Sequence, residues 1–354
     1  MAALTPTIVI PFHRNLAQLR ESLPAARRAL PNAEILVAAD GALEDCRPLA
    51  EEFNARVITI AGPKGPAVAR NRAASEAAGD VLIFVDADVV TAPDALGGMC
   101  RLLEQEPDVA AVFGAYDHDP GERNFMSQYK NLSHACVHES GNQEAATFWA
   151  GLGAIRTKVF RQVGGFDERL ARPSVEDIDL GYRVRKAGFR LRLDPRFRGK
   201  HLKRWTTWNS IVTEVKFRGI PWTQLIHRYG ALSNDLNTRS ELRLSVALSY
   251  IFLASLIAAA IWPVAALVAV GAIAVLITIN RGYYAWFVRH RGWWFTLRVI
   301  PAHVLHHLCN GVSFVVGTIA YLGTRLGVTL PGALPASDWN PAHSRPGAPL
   351  HTTD

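Results

Sequence analysis

The chain has 354 residues, a formal net charge of +7 and a hydrophobic content of 49%, which suffices for a core and about two domains. Its four cysteines are scattered without a CxxC pair, which excludes a disulfide framework or cysteine zinc site and favours a reducing cytosol. The first seven residues lack a basic segment, so no signal peptide is predicted. The positive charge is compatible with nucleic acid, a membrane surface or phosphate ligands as partners.

Strand and helix patterns alternate from the N-terminus to about residue 115. Short apolar runs predict strands at 7–11, 34–41, 56–60 and 80–85, and helical spacing fills the stretches between them. Strands separated by helices predict βαβ units, so the fold class is α/β with a mainly parallel sheet.

The fourth strand runs directly into Asp86 and Asp88. Residues at i and i+2 point to the same side of a strand, and strand ends form the ligand-binding edge of an open α/β sheet. Two carboxylates there can hold Mg²⁺ or Mn²⁺, which in turn neutralises phosphate. An isolated Asp-x-Asp is equally compatible with solvated acids, so the neighbouring motifs decide.

Two polar stretches follow. His134, Cys136 and His138 would suit a metal cluster or a substrate-facing loop or helix, and the latter is favoured because no second ligand set has metal-site spacing. Residues 175–188 predict a helix opened by the acids Glu176 and Asp177.

The composition changes after residue 200. Residues 205–229 are basic, aromatic and amphipathic, which favours a helix in a membrane interface over an ordinary packed helix. Residues 244–280 carry no charge and are broken at Trp262-Pro263, which predicts two membrane-spanning helices at 244–262 and 264–280. A basic, aromatic loop at 281–298 and a weaker third span at 302–326 follow.

These patterns predict four regions: a catalytic domain at 1–204, an interfacial segment at 205–240, a transmembrane region at 241–326 and a disordered tail at 327–354. Two spans before the basic loop place it on the same side as the catalytic domain, and its arginines place both in the cytosol. We therefore expect a multi-pass protein of the inner (plasma) membrane. His303, His306 and His307 could be metal ligands, but a packed or interfacial role is favoured.

Six motifs in register resemble glycosyltransferase family 2 over about residues 5–205. They are Ile10-Pro11-Phe12, Asp40-Gly41, Ala69-Arg70-Asn71, Asp86-Ala87-Asp88, Gly164-Gly165-Phe166-Asp167-Glu168 and Glu176-Asp177. The resemblance implies a GT-A fold, a nucleotide-diphosphate sugar donor, a divalent cation and inversion at the anomeric carbon. His201-Leu202-Lys203-Arg204-Trp205 looks like a variant of the Gln-x-x-Arg-Trp motif of processive members.

The resemblance and the chemistry of the residues together assign roles. Asp177 is the expected catalytic base. The expected donor-binding residues are Pro11, Asp40, Lys64, Arg70, Asp86 and Arg204. The expected acceptor-binding residues are Trp149, Gly151, Glu176 and Trp205. The expected metal ligands are Asp86, Asp88 and His201, with His201 equally compatible with a supporting role beside the metal.

The sequence therefore predicts an inverting, metal-dependent hexosyltransferase that acts on a lipid or lipid-linked acceptor at the cytosolic face of the membrane. One alternative is a polyprenyl-phosphate sugar transferase, whose phosphate nucleophile needs no base. Another is a non-catalytic nucleotide-sugar-binding membrane protein. Nucleic-acid binding is disfavoured because the basic residues cluster around hydrophobic spans.

Overall fold

The computed structural model describes residues 3–170, 172, 175–230 and 240–335. Residues 231–239 of the predicted interfacial segment and the predicted disordered tail from 336 onward lie outside the described residues. The chain divides into two compact units between Arg204 and Trp205.

The N-terminal unit is built on one mixed sheet. Among the described residues the strands are β1 (Pro6–Phe12), β2 (Glu34–Asp40), β3 (Arg56–Ile60), β4 (Val81–Val85), β5 (Val89–Thr91), β6 (Val109–Tyr116), β7 (Leu152–Arg156) and β8 (Arg190–His201). Their order in the sheet is β3-β2-β1-β4-β7-β6-β8-β5. Parallel ladders join β3, β2, β1 and β4, and β6 with β8, whereas β7 and β5 are antiparallel to their neighbours. The α/β fold class is confirmed, with an antiparallel insertion that the local patterns do not show.

Helices cover the sheet and then continue as the C-terminal unit. They are α1 (Leu16–Ala29), α2 (Arg47–Glu52), α3 (Pro66–Glu76), α4 (Ala95–Gln105), α5 (Phe125–Glu139), α6 (Thr157–Gln162), α7 (Glu176–Lys186), α8 (Thr207–Val212), α9 (Ile220–Tyr229), α10 (Ser240–Ala258), α11 (Ala265–Ile279) and α12 (Arg281–Arg325). Every residue of β4 is buried, as its unbroken apolar run requires. The central strands therefore place their C-terminal ends, and the acids that follow, on a rigid base.

The predicted interfacial stretch is helical. A capping box between Thr206 and Asn209 begins α8, and a π-helical segment at Thr213–Gly219 leads into α9. The side chain of Trp208 is 73% exposed. The helix is thus confirmed, and its location in a membrane interface stays a prediction.

Two of the described helices, α10 and α12, are long and apolar enough to cross a membrane. The predicted second span forms only the 15-residue α11, which is shorter than the roughly 20 residues that cross a bilayer. The predicted break at Trp262-Pro263 is present, because α10 ends at Ala258 and α11 begins at Ala265. The predicted third segment at 302–326 belongs to α12, one of the two candidate helices, and its rank among the spans stays a prediction.

The predicted loop at 281–298 is also wrong, because these residues are helical. The chain turns at Gly292, which has a positive φ of 77°, and the two arms of α12 pack against each other. The Tyr284 hydroxyl lies 3.0 Å from Nδ1 of His303, and the Tyr283 and His303 rings stack at 4.4 Å. Aromatic packing explains why a basic stretch folds here instead of remaining a loop.

Candidate active site

The two acids after β4 lie at the edge where the parallel strands end. The N–H of Asp86 donates to the carbonyl of Gly151 at 3.1 Å, which ties the acid loop to the start of β7. The antiparallel register of β5 and β8 pairs Val89 with His201, so Asp88 comes to lie beside the histidine. Oδ2 of Asp88 is 3.4 Å from Nε2 of His201.

His201 is buried and held on two sides. Its Nδ1 lies 2.5 Å from Oδ1 of Asn131, and its ring stacks on Tyr116 at 4.3 Å. When Nδ1 of His201 donates its proton to Asn131, Nε2 of the neutral ring is an acceptor. In that state Nε2 and the Asp88 carboxylate can share a proton or a metal ion between them. Burial acts to raise the pKa of Asp88, but the neighbouring His201 outweighs it and lowers that pKa.

The donor set fits a divalent cation in part. A carboxylate and an imidazole nitrogen that face each other are suitable ligands for Mn²⁺ or Mg²⁺. No group of three His, Cys, Asp or Glu side chains among the described residues is already placed to hold a metal. One oxygen of the third expected ligand, Asp86, accepts from Arg70 at 2.7 Å.

Arg70 connects the strand-end acids to the helix that carries the expected base. Its side chain is 5% exposed, and its two terminal nitrogens bond to Asp86 at 2.7 Å and to Glu176 at 2.8 Å. Burial acts to lower the pKa of Arg70, but the two carboxylates outweigh it and raise that pKa. The guanidinium is therefore a fixed positive charge inside the site. The expected contact of Arg70 with the donor stays a prediction.

Asp177 lies at the start of α7 with its carboxyl group partly exposed. One oxygen accepts from the N–H of Ala150 at 3.1 Å and the other from the N–H of Ile178 at 2.8 Å. Burial and the adjacent Glu176 carboxylate raise the pKa of Asp177 to about 7. A carboxyl group with this pKa can both take up and release a proton near neutral pH.

Asp40, the last residue of β2, anchors the glycine-rich loop that follows β3. Its two oxygens accept from the backbone N–H groups of Lys64 and Gly65 at 2.8 and 2.7 Å. Gly41 has a φ of +54°, and a Cβ there would come within 2.6 Å of the carbonyl carbon of Gly62, so only glycine fits. The Lys64 side chain is exposed, and the loop is therefore fixed by backbone contacts and not by its lysine.

Trp149 packs inside the domain and explains the glycine at 151. Its ring contacts Tyr116 at 4.8 Å and His134 at 4.6 Å. A Cβ on Gly151 would lie 2.6 Å from the Trp149 indole. The space beside Gly151 is thus occupied by the protein's own Trp149 indole. Trp149 itself is half-buried between α5 and β6.

Direct contacts join only part of the expected set, and the roles of the other residues stay predictions. Pro11 lies half-buried within β1, and Arg204 is exposed at the last position of the N-terminal unit. Trp205 is buried and belongs to the C-terminal unit. The residues that do lie together are Asp86, Asp88, His201, Arg70, Glu176 and Asp177.

Two residues of this cluster were not expected. Asn131 and Tyr116 hold His201 from α5 and β6, about 70 and 85 positions earlier in the chain. No local pattern marks an asparagine in the middle of a helix as a partner of a distant histidine. The nearby His138 bonds to the carbonyl of Gly114 at 2.8 Å and packs on His134 at 3.9 Å, which supports the packed helix over a metal cluster.

A mixed α/β sheet with paired acids after a central strand, and a second acidic pair at the start of a helix, defines the GT-A class of glycosyltransferase domain. Residues 7–164 match the family described as "Glycosyl transferase family 2". The matched residues lie within the N-terminal unit, which is thus similar to the glycosyltransferase family 2 domain.

Named relatives agree with this assignment. The chain is 30% identical over 206 residues to the pre-mycofactocin glycosyltransferase of Mycobacterium tuberculosis, covering 53% of this chain and 41% of that relative. It is 27% identical over 334 residues to the succinoglycan biosynthesis protein ExoA of Rhizobium meliloti, covering 86% of this chain and 93% of that protein. The chain thus spans well under half the length of the first relative and nearly all of the second.

A solved structure shares the fold. The mannosyltransferase PcManGT from Pyrobaculum calidifontis, determined with GDP-Man and Mn²⁺, is 15% identical, with a TM-score of 0.52. The similarity covers 92% of this chain and 89% of that one. At this identity the match concerns the fold of the two chains and not their substrates.

Proposed function

We propose that this protein is an inverting glycosyltransferase that moves a sugar from a nucleotide diphosphate to a hydroxyl of a lipid-linked acceptor. The observation that carries the proposal is the chain of charged side chains Asp86–Arg70–Glu176, next to Asp177. It joins the strand-end acids, where a diphosphate would be neutralised, to a carboxyl group with a pKa of about 7. Donor activation and acceptor deprotonation can therefore occur within one site.

In the reaction, Asp177 takes the proton of the acceptor hydroxyl as the acceptor oxygen bonds to the anomeric carbon. The bond from that carbon to the diphosphate breaks, and its electron pair leaves with the nucleoside diphosphate. The N–H of Ala150 holds the Asp177 carboxylate in place. Positioned general-base catalysis of this kind contributes on the order of 10²–10⁴-fold to the rate.

Asp88 and His201 would hold Mg²⁺ or Mn²⁺, with Asp86 as the third ligand once it leaves Arg70. The bound ion would act as a Lewis acid for the departing diphosphate. The 3.4 Å approach of Oδ2 of Asp88 to Nε2 of His201 and the donor chemistry of the set support this assignment. The Mn²⁺ in PcManGT is consistent with it.

The apolar helices support a membrane location for the acceptor. We propose that α10 and α12 anchor the protein in the inner (plasma) membrane, with the catalytic domain in the cytosol. A catalytic domain held at a bilayer by its own helices has direct access to a lipid-linked acceptor. A soluble acceptor would not require this anchorage.

A donor panel tests the proposal. Membranes that contain the full chain are incubated with nucleotide sugars, lipid extract and Mn²⁺, and both released nucleotide and glycosylated lipid are measured. We expect Asp177→Asn to lose transfer and still bind donor, and Asp88→Asn to lose Mn²⁺ affinity in a titration followed by electron paramagnetic resonance. Asp45→Asn is the control, because Asp45 is an exposed acid that is distant in sequence from Asp88 and Asp177.

Three results would count against parts of the proposal. An active Asp177→Asn enzyme would favour transfer to a polyprenyl phosphate, which needs no base. Donor binding without any product would favour a non-catalytic binding protein. Unchanged Mn²⁺ affinity in Asp88→Asn would remove the proposed metal site.

A further inference from the structure

Asn131 is a buried polar residue in the interior of α5, where it is 1% exposed. Asparagine is a poor residue for a helix interior, because its amide competes with the backbone for hydrogen bonds. The bond that the structure gives its side chain is a tertiary one, from Oδ1 to Nδ1 of His201 at 2.5 Å. Local helix stability therefore does not explain this residue, whereas the contact with the histidine does.

The amide of Asn131 is only half used. Its Nδ2 is buried and has no hydrogen-bond partner among the residues that the structure describes. Buried polar groups without a partner are uncommon, because each one lowers the stability of the fold. The amide thus takes an orientation that satisfies the histidine and leaves its own nitrogen unpaired. Such a local conflict is typical of positions that a functional site constrains.

The orientation of this amide decides which nitrogen of His201 carries the proton. An amide oxygen that faces Nδ1 accepts the proton of that nitrogen, so Nε2 presents a lone pair. An amide nitrogen in the same place would donate to Nδ1, and the ring proton would then lie on Nε2. Only the first arrangement allows Nε2 to bind a metal ion.

The rest of the surroundings fixes where the imidazole of His201 lies. The N–H of Leu202 donates to the carbonyl of Asp88 at 2.8 Å, which joins the two backbones beside the ring. Nε2 then lies 3.4 Å from Oδ2 of Asp88. The ring of Tyr116 stacks on the imidazole at 4.3 Å with an interplanar angle of 8°, which restricts its rotation. These contacts place the ring, and the contact with Asn131 selects its tautomer.

We propose that Asn131 is a positioning residue for the metal site, because its Oδ1 holds His201 in the tautomer that offers Nε2 to the cation. This inference rests on the proposed function, in which Asp88 and His201 hold Mg²⁺ or Mn²⁺. Asn131 touches neither the ion nor the substrate. It acts through the imidazole, as the hydrogen-bond partner of a metal-bound histidine commonly does.

A Mn²⁺ titration of the purified full chain, followed by electron paramagnetic resonance, tests the proposal with the metal alone as the probe. Asn131→Leu has a similar shape and removes the acceptor oxygen. We expect it to weaken Mn²⁺ binding by about 10- to 100-fold, the usual loss when such a partner is removed. Asn131→Asp keeps an acceptor oxygen and should bind Mn²⁺ as the wild type does.

Pulsed electron paramagnetic resonance adds a signature of the histidine ligand. The hyperfine coupling of an imidazole nitrogen to Mn²⁺ should be present in the wild type and in Asn131→Asp and absent in Asn131→Leu. Wild-type affinity and coupling in Asn131→Leu would overturn the proposal. An Asn131→Asp variant as defective as Asn131→Leu would also overturn it, since an acceptor oxygen would then not suffice.

Gln128→Met is the matched control, because Gln128 is a buried amide on the same helix. Its Nε2 donates to the carbonyl of Glu122 at 2.6 Å. We expect this variant to lose a buried hydrogen bond and to keep the Mn²⁺ affinity and nitrogen coupling of the wild type. Equal losses in Gln128→Met and Asn131→Leu would contradict the proposal, because any damage to α5 would then have the same effect.

The tautomer can also be measured without a change at Asn131. Nitrogen-15 NMR of the histidine-labelled full chain, saturated with Mg²⁺, reports which ring nitrogen carries the proton, and His201→Gln identifies the signal. We expect the proton of His201 on Nδ1. A proton on Nε2 would overturn the proposal even if Asn131→Leu did not fold.

Asp88→Asn separates this inference from the proposed function. Weaker Mn²⁺ binding in Asp88→Asn, with wild-type binding in Asn131→Leu, would overturn the role of Asn131 and leave the metal site standing. Unchanged binding in both variants would remove the metal site and the inference with it. The expected loss and its rescue by Asn131→Asp, in a protein that transfers no sugar to any acceptor, would support the inference and contradict the transferase.

Discussion

The carboxyl group of Asp177 connects local environment to chemistry most directly. It lies at the start of α7, where backbone N–H groups favour the anion, yet burial and Glu176 raise its pKa to about 7. The balance shows that desolvation and the like charge outweigh the two hydrogen bonds. The group is therefore half-protonated near neutral pH.

This pKa predicts the pH dependence of the reaction. A general base must be deprotonated, so turnover should rise as the pH increases through about 7 and level off above about 8. The measurement is the rate of nucleotide release between pH 5.5 and 9 at saturating donor and metal. Asp177→Asn should lower the rate on the order of 10²–10⁴-fold and abolish the rise. A wild-type profile that stays flat across this range would contradict the assignment of Asp177 as the base.

The raised pKa of Asp177 also makes stability depend on pH. As the pH rises through the same range, stability falls whereas activity rises. The folded state holds a proton on Asp177 between the ordinary aspartate pKa and about 7, where the unfolded chain has lost it. The contribution of this residue to the free energy of unfolding therefore falls as the pH rises through that window. It is an example of a functional group that is retained at a cost to stability.

At the scale of elements, α3 and α7 are joined across the end of β4 by the side chain of Arg70. The same helix α3 also holds the Gly-Gly-Phe-Asp-Glu loop, because Asn71 bonds to both the N–H and the carbonyl of Phe166 at 2.9 and 2.8 Å. Adjacent residues on one helix thus fix the acidic site and the loop that precedes α7.

Arg70→Met should destabilise the protein by about 3–5 kcal/mol, because it leaves the buried carboxylate of Glu176 and the half-buried carboxylate of Asp86 without their cation. Arg72→Met is the matched control on the same helix. Arg72 is 57% exposed and, among the residues that the structure describes, pairs with Glu76 alone, so its loss should cost about 0–1 kcal/mol. Denaturant unfolding of the two variants, with donor binding as a check on the native site, gives the comparison. Equal destabilisation of both variants would show that the buried pairs contribute no more than a surface pair.

How much of this arrangement follows from sequence depends on the range of the contacts. The unbroken apolar run of β4 alone predicts a buried strand, and the acids after it predict a sheet-edge site once the neighbouring motifs are considered. The antiparallel β7 and the contact of Asn131 with His201 depend on pairing between distant segments, so no local pattern reports them. The bond between Arg70 and Glu176 likewise joins residues 106 positions apart, so no local pattern predicts it.

At the scale of the whole molecule, a soluble-type α/β unit is followed by helices of a different surface chemistry. The side chains of Ile257, Ile261 and Leu267 are 66%, 71% and 71% exposed. Exposed apolar side chains on successive helices are unfavourable in water and favourable in a bilayer. This contrast between the two units leads to a prediction of topology.

We predict that α10 crosses the membrane, so that the turn at Trp262-Pro263 and the catalytic domain lie on opposite sides. The four native cysteines are all buried, which gives a low background for labelling with a membrane-impermeant maleimide. In intact cells Pro263→Cys should react and Arg14→Cys, on an exposed residue of the catalytic domain, should react only after permeabilisation.

An arginine in the apolar helix tests whether hydrophobic transfer causes this topology. Ile251→Arg, at an exposed position of α10, should cost about 2.5–3.5 kcal/mol of insertion and strongly reduce labelling of Pro263→Cys from outside. Leu43→Arg, at a side chain that is 72% exposed in the catalytic domain, should leave labelling unchanged. If Pro263→Cys and Arg14→Cys were labelled from the same side, α10 would lie on the membrane instead of crossing it.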